Sequence, residues 1–546
     1  MRDLAQPARE NEKSFGTGPT RTRRPVYENL LPPCNAACPA GEDIQGWLSH
    51  ASAGRYREAW TALVANNPMP GIHGRVCYHP CENHCNRERL DSPVSIHAVE
   101  RFLGDMALLH GWTVPVASPT GKKVLVIGSG PSGLSCAWHL ALRGHAVEIY
   151  EAAELPGGMM RYGIPSYRLP RNVMEGEIRR IQEAGVKIHL KKRVSDLAAE
   201  KKAGGFDAVF VAVGAHLSKR VDIPSRDAGK IYDAAAFLKN VEAGETPKLG
   251  RRVAIYGGGN TAMDAARVAL RLGHEPLVIY RRDRSHMPAH AMEADEASEE
   301  GVMFHWLRRI DSVDQGVIQV EIMELGPDGT PRGTGRHEEI AADDLILALG
   351  QDTDSDFLKK VSGVRFKKDG VVEVDERMMT GAPGVFAGGD MVPSERTVTI
   401  ATGHGKKAAR NIDAWLRQTN AAPAAKKPVA TFEKLHLWFF TDSAQRPQSR
   451  AEMLRRKESF DEVVKGLSEE QAQYEARRCL SCGNCFHCDG CLGACPEDAI
   501  TKKPAPETGY TVDGAKCTGC AVCFEQCPCH AITMKNEDSL KDPALV

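Results

Sequence analysis

Two stretches of this 546-residue chain repeat one hydrophobic pattern. Residues 122–152 read KKVLVIGSGPSGLSCAWHLALRGHAVEIYEA, and residues 251–282 read RRVAIYGGGNTAMDAARVALRLGHEPLVIYRR. Each is a short apolar run, a glycine cluster, a mixed stretch and a second apolar run, which predicts strand, turn, helix and strand. Two such units in one chain imply two bound dinucleotides. Residues 384–416 predict a further strand and loop running into a helix. The stretch IQGWLSHASAGRYREAWTALV (44–64) reads as helical and separates two cysteine groups. A Pro/Ala/Lys-rich segment, NAAPAAKKPVA, marks a boundary near residue 425, and a polar helical stretch leads from it to a cysteine-rich end. Residues 1–30 are polar and read as a solvated tail rather than a docking strap.

The length implies three or four domains. A net charge of -1 gives no reason to expect nucleic acid as a partner, and no apolar run approaches the roughly 18 residues of a membrane span. The N-terminus, MRDLAQPARENEKSF, lacks the apolar core of a signal peptide, so the expected location is the cytoplasm. There the 17 cysteines change the picture. Five lie between Cys34 and Cys85, eleven between Cys479 and Cys529, and only Cys136 stands apart. In a reducing compartment such clusters read as metal ligands rather than disulfides.

In the first unit Gly128 permits a tight turn, Gly130 lets backbone approach a pyrophosphate, and Gly133 lets helix and strand pack closely. Pro131 and Ser132 open the helix whose N–H groups face the phosphates. Glu151 ends the next strand and is placed to accept from a ribose, which suits FAD or NAD. The second unit has Gly257, Gly259 and Ala262, and ends in Arg281 and Arg282 where the first has Glu151. Arginine donors there favour a 2′-phosphate, hence NADP(H) over NAD(H), unless they are solvated surface charges.

At the other end Cys485, Cys488, Cys491 and Cys495-Pro496 show the spacing C-x2-C-x2-C-x3-C-P, and Cys517, Cys520, Cys523 and Cys527-Pro528 repeat it. Three thiolates of each run bind one [4Fe–4S] cluster, and the fourth crosses to the other. One cluster is expected on Cys485, Cys488, Cys491 and Cys527, its twin on Cys517, Cys520, Cys523 and Cys495. Zinc, which favours separated C-x2-C pairs, fits this doubled run poorly.

The segments GSGPSGLSCA, PGGMMRYGIPSYRLP, GGGNTAMDAA, YRRDRSHMPA and VFAGGDM together resemble the glutamate synthase small subunit and the N-terminal half of dihydropyrimidine dehydrogenase. The resemblance covers roughly residues 31–418. It implies an α-helical iron–sulfur domain (31–116) and a Rossmann-like FAD domain in two parts (117–249 and 376–418) with a Rossmann-like NAD(P)H domain inserted (250–375). Beyond it the composition and the doubled cysteine run give a linker and helical segment (419–476) and an α+β two-cluster ferredoxin-like domain (477–546), so the whole is a multidomain fold. FAD would meet residues Gly128–Gly133, Glu151, Gly158, Met159, Arg168, Val194, Gly389, Asp390 and Thr399. NADPH would meet Gly258, Gly259, Asn260, Thr261, Arg281, Arg282 and Gly350. No cysteine lies between Ala137 and Arg478, so electrons cannot leave the flavin through a disulfide in that stretch.

The family's N-terminal pattern is C-x2-C-x4-C-x3-C, then C-x3-C-x3-C, then Gln or Glu. Here its first two cysteines would fall on Val26 and Asn29. The resemblance implies one complete cluster, on Cys38, Cys77, Cys81 and Glu100, and half a site, Cys34 and Cys85. The missing piece usually reads Arg-Cys-Leu-x-Cys, and RCLSC occurs at 478–482. Cys479 and Cys482 are therefore expected to complete the N-terminal site, from the same or a neighbouring chain. The alternative leaves them unliganded, or replacing neighbours in the ferredoxin site, with Cys34 and Cys85 as relics and three clusters instead of four. Cys136 and Cys529 remain as small buried hydrophobes.

The implied activity is electron transfer between NADP(H) and a partner through FAD and the clusters. Hydride exchange with a flavin needs no acid–base side chain, so no catalytic residue is assigned. The ending EQCPCHAI resembles the ferredoxin-like subunit of 2-oxoacid:ferredoxin oxidoreductases, which makes a 2-oxoacid-oxidising subunit the first expected partner. A glutamate synthase large subunit, or ferredoxin itself for a stand-alone enzyme, is the alternative. Intact glycine fingerprints argue against a non-enzymatic iron–sulfur scaffold.

Overall fold

The computed structural model describes residues 21–219, 221, 223–225, 231–367, 369–419, 427–504 and 507–537. Both glycine units fold as the sequence predicts. The first lies in a five-stranded parallel sheet in the order Val385–Ala387, Ala208–Val211, Lys123–Ile127, Ala146–Tyr150, Lys187–His189. The second lies in a five-stranded parallel sheet in the order Met303–Trp306, Glu275–Tyr280, Arg252–Tyr256, Asp344–Leu347, Ile231–Asp233. Their strands are apolar because both faces of each sheet are covered. A three-stranded antiparallel meander, Arg308–Asp314, Val317–Leu325 and Pro331–Ala341, packs on the second sheet.

The second unit is inserted into the first, but not at the expected bounds of 250 and 375. The strand Ile231–Asp233 and helix Ala234–Glu242 already belong to the inserted unit. Phe357, Val361, Val364, Phe366 and Val374 pack against the core of the first sheet. The chain crosses between the units at the paired strands Leu217–Ser218 and Gln351–Asp352. A three-residue strand carries too little periodicity to be seen in the sequence, which is why both bounds fell late.

The N-terminal region is helical: Ile44–Ser52, Tyr56–Val64, Pro70–Val76 and Ile96–His110 are its main elements. It has no core of its own. Trp47, Trp60, Ile72 and Val99 join Val124, Leu134 and Phe210 in one continuous apolar cluster, and Trp138 Nε1 donates to Val64 O at 3.0 Å.

The solvated tail is corrected in its last residues. Arg23–Tyr27 is a strand paired antiparallel with Ile532–Asn536, at the other end of the chain. Residues 1–20 lie outside the described residues, as does most of the linker, 420–426. The stretch expected to be helical is mostly irregular from 427 to 468, with short helices at Met453–Glu458 and Glu469–Arg477. No helix among the described residues is long and apolar enough to cross a membrane.

Candidate functional site

Cys34, Cys85, Cys479 and Cys482 line one small cavity, together with Leu48, Val94, Ile96 and Leu480. The helix Pro33–Ala37 and the Cys85 loop form one wall, and the turn after Glu469–Arg477 forms the other. What closes it is Arg478. Its buried guanidinium donates to Pro93 O (2.9 Å), Ser92 O (2.8 Å), Ser443 O (3.0 Å), Asp91 Oδ1 (3.1 Å) and Glu475 Oε2 (2.8 Å). Arg87 Nη1 donates back to Arg478 O at 2.6 Å. A buried charge needs such full pairing, and the pairing fixes the following cysteines against the N-terminal domain. Burial pushes the Cys479 and Cys482 thiols up to about 12, and Cys34 is raised by burial and by Cys479, Cys85 and Cys482 beside it. Crowded sulfurs that resist ionisation alone fit a cationic centre that holds them as thiolates. Asn86 Nδ2 (3.4 Å from Cys482 Sγ) and Ser481 N (3.4 Å from Cys479 Sγ) are placed to donate to them.

Beside it stands the second N-terminal group. Cys38, Cys77, Cys81 and Glu100 all act on one another electrostatically; burial pushes Cys77 up to about 12 and raises Glu100 strongly. Glu100 is fixed by Asn67 Nδ2 at 2.7 Å, which also donates to the buried Glu42 at 2.9 Å. Sequence reasoning missed Glu42 and Asn67. No spacing marks them, and only the fold brings them to the Cys38 loop. The sites interlock, since Cys38 N donates to Cys34 O at 3.1 Å.

In the C-terminal module the crossed pairing is geometrically consistent. Cys485, Cys488 and Cys491 sense Cys527, and Cys495 shares a cavity with Cys517, Cys520 and Cys523. Ala499 N lies 3.3 Å from Cys495 Sγ and Ala531 N 3.2 Å from Cys527 Sγ. Cys520 is exposed. Cys136 is buried as expected; Cys529 is buried too, but its sulfur lies 3.8 Å from that of Cys527, so it is a neighbour of the site as well as a packing residue.

The first glycine turn fits a dinucleotide. A Cβ on Gly130 would meet nothing within 4 Å, whereas one on Gly133 would lie 2.0 Å from Gly128 O. The buried Ser132 hydroxyl has no partner. Both oxygens of Glu151 are oriented, by Ser129 N (2.8 Å), Ser129 Oγ (2.6 Å) and Ala153 N (2.8 Å). Gly158 and Met159 face this turn, for a Cβ on Gly158 would lie 2.9 Å from Gly130 Cα. Val194 is buried in the loop after Lys187–His189, near the end of the Glu151 strand. Gly389 packs on Ser132, and Asp390 is pushed up to about 6 by burial, against the pull of Arg396.

Arg168 differs from expectation, and Thr399 has a further contact. The Arg168 guanidinium is held by Asp264 (2.9 Å to both oxygens) and by Glu293, so it ties the first unit to the second instead of facing the dinucleotide turn. Thr399 is buried in the first turn of helix Val398–Leu416, and its hydroxyl bonds Cys77. The flavin-side helix therefore touches the cysteine loop directly. In the second unit Gly258, Gly259, Asn260 and Thr261 form the turn and helix start, with Gly350 just beyond the neighbouring strand Asp344–Leu347. Arg281 is exposed, and the buried Arg282 Nε has no partner among the described residues. Asn260 Nδ2 donates to the hydroxyl of Tyr78, the residue after Cys77, at 2.8 Å.

The chain is similar to known proteins along most of its length. The family model described as pyridine nucleotide-disulphide oxidoreductase matches residues 122–405, that of dihydropyrimidine dehydrogenase domain II, 4Fe-4S cluster, matches 27–112, and a 4Fe-4S dicluster domain matches 484–531. The four cysteines of the closed cavity straddle the last two, with Cys479 and Cys482 outside both. The NADP(+)-dependent formate dehydrogenase subunit beta of Moorella thermoacetica is 37% identical over 82% of this chain and 70% of its own length. The NADPH-Fe(3+) oxidoreductase subunit beta of Geobacter sulfurreducens is 33% identical over 88% and 80%. The glutamate synthase [NADPH] small chain of Azospirillum brasilense is 34% identical over 72% and 88%.

Proposed function

The chain belongs to the pyridine nucleotide-disulphide oxidoreductase family, and on that premise we propose that it is the NADP(H)-handling subunit of a larger redox complex, passing electrons between the nucleotide and a catalytic partner. Bound FAD and four [4Fe–4S] clusters supply the exchange between hydride and single electrons. The residues of this chain bind and orient. Gly128–Gly133, Glu151, Gly158, Met159, Gly389 and Asp390 cradle the flavin nucleotide. Gly258–Thr261 and Gly350 hold the nicotinamide nucleotide, and Arg281 and Arg282 grip its 2′-phosphate. Arg168 positions one unit against the other. Cys38, Cys77, Cys81 and Glu100 lie nearest the flavin-side helix; Cys34, Cys85, Cys479 and Cys482 form the relay; the two crossed sets of the C-terminal module form the exit.

The observation that carries this reading is the single cavity lined by cysteines from both ends of the chain. Completion in cis is the reading that the clamp of Arg87, Asp91 and Arg478 on this cavity supports. The partner is an oxidising catalytic subunit. The relatives similar over 82% and 88% of the chain are named as beta subunits, one of a formate dehydrogenase, which favours a formate-oxidising partner. The ending EQCPCHAI keeps a 2-oxoacid-oxidising partner as the second reading. Clustered thiols suit a reducing compartment, the cytoplasm.

Iron, sulfide and FAD are counted in anaerobically purified wild type and in Cys479→Ser/Cys482→Ser. About sixteen irons per FAD, falling by about four in the variant, are expected from four ligands per [4Fe–4S] centre. About twelve irons in both proteins would sink the shared site.

A further inference from the structure

The two halves of the C-terminal module repeat one another beyond their cysteines. Cys495-Pro496-Glu497-Asp498-Ala499-Ile500-Thr501 corresponds to Cys527-Pro528-Cys529-His530-Ala531-Ile532-Thr533, and each ends in a strand, Ile500–Lys502 and Ile532–Asn536. Ile500 pairs with Val512, five residues before the first cysteine of the second run. By the same repeat Ile532 needs a partner five residues before Cys485, which is Leu480. That position is already taken by RCLSC, whose cysteines face the other cavity. The partner of Ile532 is instead Tyr27. A segment some 450 residues upstream supplies the missing strand, and Arg21 clamps it by donating to Gly514 O and Cys517 O, both at 2.6 Å.

Where the repeat has Val512, the inserted strand brings a phenol. Tyr27 stacks on Tyr510 with ring centroids 5.9 Å apart, and its hydroxyl lies 3.1 Å from Cys491 Sγ. A cysteine that ligates iron has lost its proton, so the hydroxyl is then the donor. We propose that Tyr27 is a positioning residue that raises the reduction potential of the cluster held by Cys485, Cys488, Cys491 and Cys527, through a hydrogen bond to the Cys491 sulfur. Reduction adds negative charge that spreads onto the thiolates, and a donor at a sulfur stabilises the reduced form more than the oxidised one. The twin site has only Val512 at the equivalent place, which cannot donate. This position thus separates the potentials of the two clusters, making the one next to the relay cavity the better acceptor.

This rests on the reading that those four cysteines hold a cluster, and the experiment separates the two. Tyr27→Phe keeps ring and strand and removes only the donor. Full-length holoprotein, wild type and variant, is titrated anaerobically against mediator potential with electron paramagnetic resonance, and iron is counted on the same samples. Expected is unchanged iron with one cluster moved to lower potential and the others fixed. Unchanged potentials at full iron would overturn the proposal alone. Loss of about four irons in the variant would also overturn it, by giving the hydroxyl a role in holding the ligand loop. Wild type lacking the iron of the C-terminal module would overturn the cluster assignment and the proposal with it.

Discussion

Arg478 shows how much one side chain can settle. The sequence marks it only as the residue before Cys479, yet its six acceptors lie on loop 91–93, at Ser443 and at Glu475, and together they hold the two ends of the chain at one cavity. The motif was legible because cysteine spacing is rigidly tied to ligation; the clamp was not, because half its acceptors are backbone carbonyls that any residue supplies and the others are brought to it only by the fold. Arg168 is the converse case. Its motif suggested the flavin, but a buried guanidinium takes the nearest carboxylates, and these belong to the inserted unit. Arg281 and Arg282 carry the choice of nucleotide at this scale. Charge-assisted bonds of about 1.5–3 kcal/mol each are lost on Arg281→Ala/Arg282→Ala. The KM for NADPH is expected to rise about 100- to 10,000-fold while that for NADH changes little. Steady-state kinetics with both nucleotides checks this, and a parallel loss with NADH would show that the arginines do not read the 2′-phosphate.

Among elements, helix Val398–Leu416 does the most to join the nucleotide site to the metal sites. Its first turn places the Thr399 hydroxyl at Cys77 and Thr402 Oγ1 2.9 Å from His73 Nε2. Lys406 then donates to Ala40 O and Gly41 O, on the loop that follows Cys38. The close approach depends on Gly403, where a Cβ would lie 2.0 Å from Pro39 O. Backbone faces backbone there, so no rotamer relieves the clash. Gly403→Ala should cost about 1–3 kcal/mol and push the Cys38 loop off the helix. The expected result is loss of about four irons with FAD retained, read by metal analysis and flavin absorbance. Full iron content would mean the loop can yield without disturbing its ligands. The helix itself was legible from residues 384–416, as were both βαβ units, because long periodic segments announce themselves. The strands Arg23–Tyr27 and Ile231–Asp233 were not. Each is five residues or fewer, and each is stabilised by pairing with a partner distant in sequence.

Over the whole molecule the cysteine sites follow one another at short covalent distance. Cys38 lies four residues from Cys34, Cys81 four from Cys85, and Cys482 three from Cys485, so the last pair of α-carbons is within about 10 Å. Cys491 and Cys523 sense each other across the two halves of the last module. The chain passes between the N-terminal and C-terminal modules both at Tyr27–Cys34 and at Cys479–Cys485, and both passages end on the four-cysteine cavity. A relay at that one point makes a definite kinetic demand. With Cys479→Ser/Cys482→Ser, NADPH should still bleach the flavin at the wild-type rate, because neither nucleotide site touches the cavity. The paramagnetic signals of the C-terminal clusters should fail to develop on the same timescale, although dithionite, which reaches the exposed Cys520 face directly, still elicits them. Stopped-flow absorbance followed by freeze-quench resonance separates the two events. If NADPH reduced the C-terminal clusters as fast in the variant as in wild type, electrons would have a route around the cavity, and the joining of the two chain ends would serve assembly alone.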